Sequence, residues 1–125
     1  MRRHWLSVAP GASIAETLQM MRVARLRQLP VVADGVLRGV LSFAVLVEAA
    51  LAGRCTRVEE VMSPDTETGG TTMSVDEAAA RIARSRTGCL PIVEPGPDGP
   101  RLVGLLTESD LLRRAYDPIR PSGPV

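Results

Sequence analysis

Near the end of the chain the hydroxyl of Thr107 and the carboxylate of Asp110 stand three residues apart, with Ser109 between them. An apolar run, Leu102 to Leu106, leads into Thr107, and Leu111-Leu112-Arg113-Arg114-Ala115 follows Asp110. This order predicts a strand running straight into a helix, with Thr107 as N-cap and Asp110 at the third helical position. Two chemistries fit that spacing. One is a capping box, in which hydroxyl and carboxylate satisfy backbone N–H groups and the negative charge sits at the positive helix end. The other is ligand binding, in which the helix start and its hydroxyl receive a phosphate and the carboxylate accepts from a ribose diol.

The surroundings of this pattern occur twice. Leu29-Pro30-Val31-Val32 matches Leu90-Pro91-Ile92-Val93 at a separation of 61, and Gly39-Val40-Leu41-Ser42 matches Gly104-Leu105-Leu106-Thr107 at 65. The Pro/Gly-rich turn Pro95 to Pro100 absorbs the difference. Upstream, Ser13-Ile14-Ala15-Glu16 matches Ser74-Val75-Asp76-Glu77, again at 61. A period near 60 is one supersecondary unit duplicated. Each copy resembles a CBS domain, on the strength of the Leu-Pro before the middle hairpin and the Gly-x-x-Thr-x-x-Asp after it. The resemblance spans roughly residues 4 to 116. It implies an α/β (α+β) fold of two β-α-β-β-α repeats about a pseudo-twofold axis, the regulatory pair known as a Bateman module. The repeats are expected at 1–55 and 56–117, with a disordered tail at 118–125.

The same resemblance implies a site for an adenosine-containing ligand, an adenine nucleotide or S-adenosylmethionine, in the second repeat. Thr107 and Ser109 would contact phosphate and Asp110 the ribose. Leu90, Pro91, Ile92 and Leu106 would supply the apolar lining, and Thr68 backbone groups for the base edge. The first repeat departs from the pattern, because Val45 stands where the carboxylate should be. A ribose diol left unpaired there would cost about 1–3 kcal/mol. Gly88-Cys89 also occupies positions that are often basic in nucleotide-binding relatives, so phosphate at the second site would draw on Arg27 from across the pseudo-twofold, or on Arg57.

The elements that must position these groups follow in order. Trp5 to Val8 is a short strand candidate, and Ser13 with Glu16 opens a helix to about Gln28. Leu29 to Ala33 and Val36 to Leu41 form a hairpin about Asp34-Gly35, and Ser42 caps a helix that Gly53 stops. Arg54 to Met62 reads as linker, Thr66 to Gly70 as a strand weakened by two glycines, and Ser74 to about Arg86 as a capped helix. A unit of about 50 residues buries too little surface alone, so the copies are expected to pack their sheets on a shared core. The outer face holding Val45, Leu46, Ala49 and Ala50 would stay apolar, which predicts a homodimer.

Composition narrows the function further. Net charge is +1, acidic and basic residues alternate, and Phe, Trp and Tyr occur once each. That favours neither nucleic acid nor a membrane surface as partner. No apolar run reaches 18 residues and no signal peptide is evident, so a cytoplasmic location is expected. Every basic side chain other than His4 is arginine, a composition typical of GC-rich bacterial genomes. Cys55, Cys89 and the single histidine give neither metal spacing nor a nucleophile–base pair. Catalysis is not expected; the output would pass to a regulated protein in trans. The alternative is a ligand-free interaction dimer in which the motif survives only as a cap.

Overall fold

The computed structural model describes residues 6–53, 56–64, 67–85 and 88–115. His4, Trp5, Cys55, Thr66, Arg86 and the expected tail at 118–125 lie outside the described residues. The elements are α1 (Ile14–Ala24), β1 (Gln28–Ala33), β2 (Val36–Ser42), α2 (Phe43–Ala52), α3 (Val75–Arg84), β3 (Cys89–Glu94), β4 (Arg101–Thr107) and α4 (Glu108–Ala115). The fold is mixed α and β, built from two repeats of one plan.

Local sequence explains most element ends. Ser13, Ser42 and Ser74 accept from the N–H three residues on, at 3.0, 3.2 and 3.1 Å. Each thereby satisfies one orphan donor of a helix start. Asp34 and Gly35 both take positive φ, 54° and 80°, as the tight turn between β1 and β2 requires. α1 stops earlier than predicted, at Ala24, because Arg25 turns left-handed. Its N–H caps Arg22 O while Leu26 N–H reaches back to Met21 O. α3 likewise stops at Arg84, where Ser85 is extended.

The duplication recurs bond for bond. Val8 N–H donates to Pro30 O and Val32 N–H to Val8 O; Gly69 N–H donates to Pro91 O and Val93 N–H to Gly69 O. Both hairpins carry a bulge at the same place, Val31/Val32 and Ile92/Val93. Among the described residues, the predicted leading strands are present as these single parallel bridges, at Val8 and Gly69. The hairpins join edge to edge in one sheet of order β1-β2-β4-β3. Two equivalent bonds make the join, Leu37 N–H to Pro100 O and Leu102 N–H to Gly35 O.

Three apolar clusters hold the layers rather than one shared core. Leu29, Val31, Leu41 and Leu46 pack with α1 and α2, and Leu90 and Ile92 pack with Ala78 and Ile82 of α3. Cys89, Leu102 and Leu105 meet Val32 and Leu37 of the first repeat at the junction. Two expectations need correction. Leu46 is fully buried, since Phe43, Leu46 and Ala49 share the inward face of α2; Val45 and Leu51 remain exposed. The segment read as a linker is stitched to the first repeat instead. Val58 is fully buried there, its N–H donates to Ala12 O, and Ser63 bridges Val40. Glu60 closes a 3-10 turn at Val58–Glu60 by accepting from the N–H groups of Thr56 and Arg57. Among the described residues, no helix is long and apolar enough to cross a membrane.

Leu46 and Leu51 lie on one helix, at 0% and 84% exposure. Urea unfolding should therefore separate them: Leu46→Ala is expected to cost about 2–5 kcal/mol and Leu51→Ala less than about 0.5 kcal/mol. Equal costs would show that α2 does not pack as described.

Candidate functional site: a cleft between the repeats

β4 delivers Thr107 to the first turn of α4 without an intervening loop. There Thr107 N–H and hydroxyl both donate to Asp110 Oδ2, at 2.9 and 3.0 Å. Asp110 N–H returns a bond to Thr107 Oγ1 at 3.3 Å. The capping box is thus closed in both directions. In the first repeat Ser42 accepts from Val45 N–H, but valine has no oxygen with which to accept a bond in return.

Beside this cap lies an open cleft of about 690 Å³. Arg25, Arg27, Gln28 and Pro30 line it from the first repeat, and Cys89, Leu105, Thr107 and Ser109 from the second. The left-handed turn at Arg25 ends α1 and starts the connection that carries Arg27 to the cleft. A backbone bond then ties that connection to α2, Phe43 N–H to Arg27 O, and its counterpart is Glu108 N–H to Gly88 O. Gly88 has φ 69°, and a Cβ there would lie 2.5 Å from Glu108 Oε1. A larger side chain would displace Glu108; among the described lining residues the basic groups, Arg25 and Arg27, come from the first repeat.

Of the residues singled out from sequence, Arg27, Thr107 and Ser109 are brought together. Asp110 stands behind Thr107 and is not among the lining residues. Leu90 and Ile92 are buried under α3, where Leu106 packs against them. Pro91 is fully buried and Thr68 is half-buried. The Thr68 carbonyl accepts from the Arg81 guanidinium, which also pairs with Glu77 at 2.8 Å. Arg25, Gln28, Cys89 and Leu105 line the cleft without having been picked out as contributors. Strand alternation carries part of that signal, because 89, 105 and 107 share a face and 90, 92 and 106 take the other.

Among the described residues one thiol, that of Cys89, lines the cleft. Burial, with a smaller contribution from the Asp110 charge, pushes Cys89 up to about 11. It is neutral at physiological pH, and thiolate is the reactive form.

A model of the CBS domain matches residues 1–52 and again residues 58–117. This chain belongs to the CBS-domain family. Among curated proteins it is 33% identical over 108 residues to the CBS domain-containing protein YhcV of Bacillus subtilis (strain 168), covering 84% of this chain and 74% of that one. Among solved structures the pair superposes on CBSX2 of Arabidopsis thaliana, solved in complex with AMP, with TM-score 0.82 and 24% identity. That match covers 95% of this chain and 93% of CBSX2. The CBS pair of protein MJ0100, solved with 5′-methylthioadenosine and S-adenosyl-L-methionine, gives TM-score 0.76 at 24% identity, covering 90% and 92%. These likenesses establish the two-repeat fold of the CBS pair.

Because Cys89 is raised from 9.0 to about 11 in the folded state, stability is full below pH 9 and falls as pH rises toward 11. Denaturant melts across pH 8–11 should show this fall reduced in Cys89→Ala. An identical pH profile in the variant would refute the assignment.

Proposed function

We propose that this CBS pair is a regulatory module that binds an adenosine-containing ligand at the second repeat and catalyses no reaction. The observation that carries this reading is the cleft itself, in which hydroxyls of one repeat face an arginine of the other. In the proposed complex Thr107 and Ser109 donate to phosphate, with Arg27 supplying charge from across the junction. Asp110 accepts from the ribose hydroxyls. A carboxylate offers about four lone-pair sites, enough to serve cap and ligand together. Leu29, Pro30 and Leu105 form the apolar wall near the base, backed from behind by the buried Leu90, Pro91, Ile92 and by Leu106, and Thr68 offers backbone groups to the base edge. The ligands in the CBSX2 and MJ0100 structures, AMP and the S-adenosyl compounds, support an adenosyl class.

In this reading the first repeat is silent, because Val45 cannot accept from a ribose. The pair works as a cytoplasmic homodimer, covering apolar side chains such as Val23, Val45 and Leu51, exposed by 72, 40 and 84%. It acts on a regulated protein in trans. A second reading has its own observation in support: Asp110 is already satisfied within its cap, so the motif serves stability alone in a ligand-free interaction dimer.

Thermal shift with AMP, ADP, ATP and S-adenosylmethionine, on wild type and Asp110→Ala, separates the two readings. A ligand at 100 times its Kd adds about 2.7 kcal/mol, a rise of several degrees for a chain of this size. The regulatory reading expects such a rise in wild type and its loss in the variant. No rise with any of the four, in samples whose sedimentation still reports a dimer, would leave the interaction dimer; a monomer would remove the dimer from both.

A further inference from the structure

We infer that the cleft selects adenosine phosphates over the sulfonium S-adenosylmethionine, and that Arg25 acts with Arg27 as the charge-selecting pair. The inference rests on the proposed ligand reading and narrows it to one chemical class.

The cleft has a one-sided charge. Among the described residues, Arg25 and Arg27 are the only charged side chains that line it; the rest of the described lining is apolar, amide, thiol or hydroxyl. The thiol is neutral, for the reasons given above. Both arginines are exposed, and neither has an ion-pair or side-chain hydrogen-bond partner among the described residues. Two carboxylates stand beside the cleft without lining it. Asp110 is held in the cap, and Glu108 lies against Gly88. Thr107 and Ser109 bring hydroxyl donors to the same space, so cation and donor converge on one cleft.

Arg25 adds a second, independent observation. It occupies φ 58° and ψ 43° at the end of α1, a left-handed position where glycine is the unstrained residue. The chain keeps a long cation there instead, and a strained non-glycine residue beside a cleft is a mark of function. Gly53 takes the left-handed position after α2, and the cap Ser85 after α3 is extended.

The two ligand classes differ most in charge. A phosphate monoester carries between about −1.5 and −2 at neutral pH. S-adenosylmethionine carries sulfonium and ammonium against one carboxylate, and attached at the same 5′ carbon its sulfonium would face the two guanidinium groups. Opposite charge attracts the first ligand and like charge excludes the second.

Titration calorimetry at low salt with adenosine, AMP, ATP and S-adenosylmethionine tests this on wild type, Arg25→Gly and Arg27→Gln. AMP should bind at least about tenfold more tightly than adenosine or S-adenosylmethionine, and the gap should narrow as salt rises. Each variant should weaken AMP by about threefold or more and leave adenosine unchanged. Arg25→Gly should do so with a melting midpoint no lower than wild type, because glycine relaxes the turn. S-adenosylmethionine binding as tightly as AMP would overturn the selection while leaving the adenosyl reading intact. Arginine variants that keep AMP affinity, or lose AMP and adenosine alike, would overturn it too. Failure of all four compounds to bind would overturn both readings.

Discussion

Two backbone hydrogen bonds at one sheet junction set the geometry on which the site depends. Leu37 donates to Pro100 and Leu102 to Gly35, and between them β2 and β4 become neighbours. Further along that edge of β2, Val40 and Ser63 exchange two backbone bonds. With the hairpins so joined, Arg27 of one repeat and Thr107 of the other line one cleft. The join also explains the third apolar cluster, where Val32 and Leu37 close over Cys89, Leu102 and Leu105. Separated, each repeat would expose that face as well as its unpaired edge.

In the proposed complex the cap at Thr107 serves both stability and recognition. Its hydroxyl and carboxylate satisfy each other and the helix start, a contribution of about 1 kcal/mol at caps of this type. The same atoms are those a nucleotide would use. Val45 in the first repeat keeps the half of the cap that Ser42 provides and loses the carboxylate, so folding tolerates what binding would not. Arg25 is the converse, a residue that fits a left-handed turn poorly and a cleft well.

Much of the fold was legible because its strongest signals are local. Serine caps, the Asp34-Gly35 turn and the helix stop at Gly53 each act within a few residues. The repeat was legible because Val8 and Gly69 make the same bonds in the same order. What stayed hidden depends on contacts between distant segments. Nothing in Arg54 to Met62 marks Val58 as core, since its burial comes from packing on α1 and β1 rather than from periodicity. The α1 terminus was missed because its left-handed residue is arginine, where glycine would have given the signal. Leu46 was assigned outward because a helix as uniformly apolar as Phe43–Ala52 has little polar contrast to show its inward face. For the candidate site, Thr107, Ser109 and Arg27 were legible as a motif and a charge, while Arg25, Gln28, Cys89 and Leu105 are gathered only by the junction.

The central claim is that one ligand bridges the two repeats at the second-repeat cap. Amide chemical shifts of the isotope-labelled protein, recorded while AMP is added to saturation, test it most directly. The account predicts shifts concentrated at Arg27 and Gln28 together with Thr107, Ser109 and Asp110, and none at Ser42 or Val45. Shifts confined to one repeat, or centred on Ser42 and Val45, would contradict it.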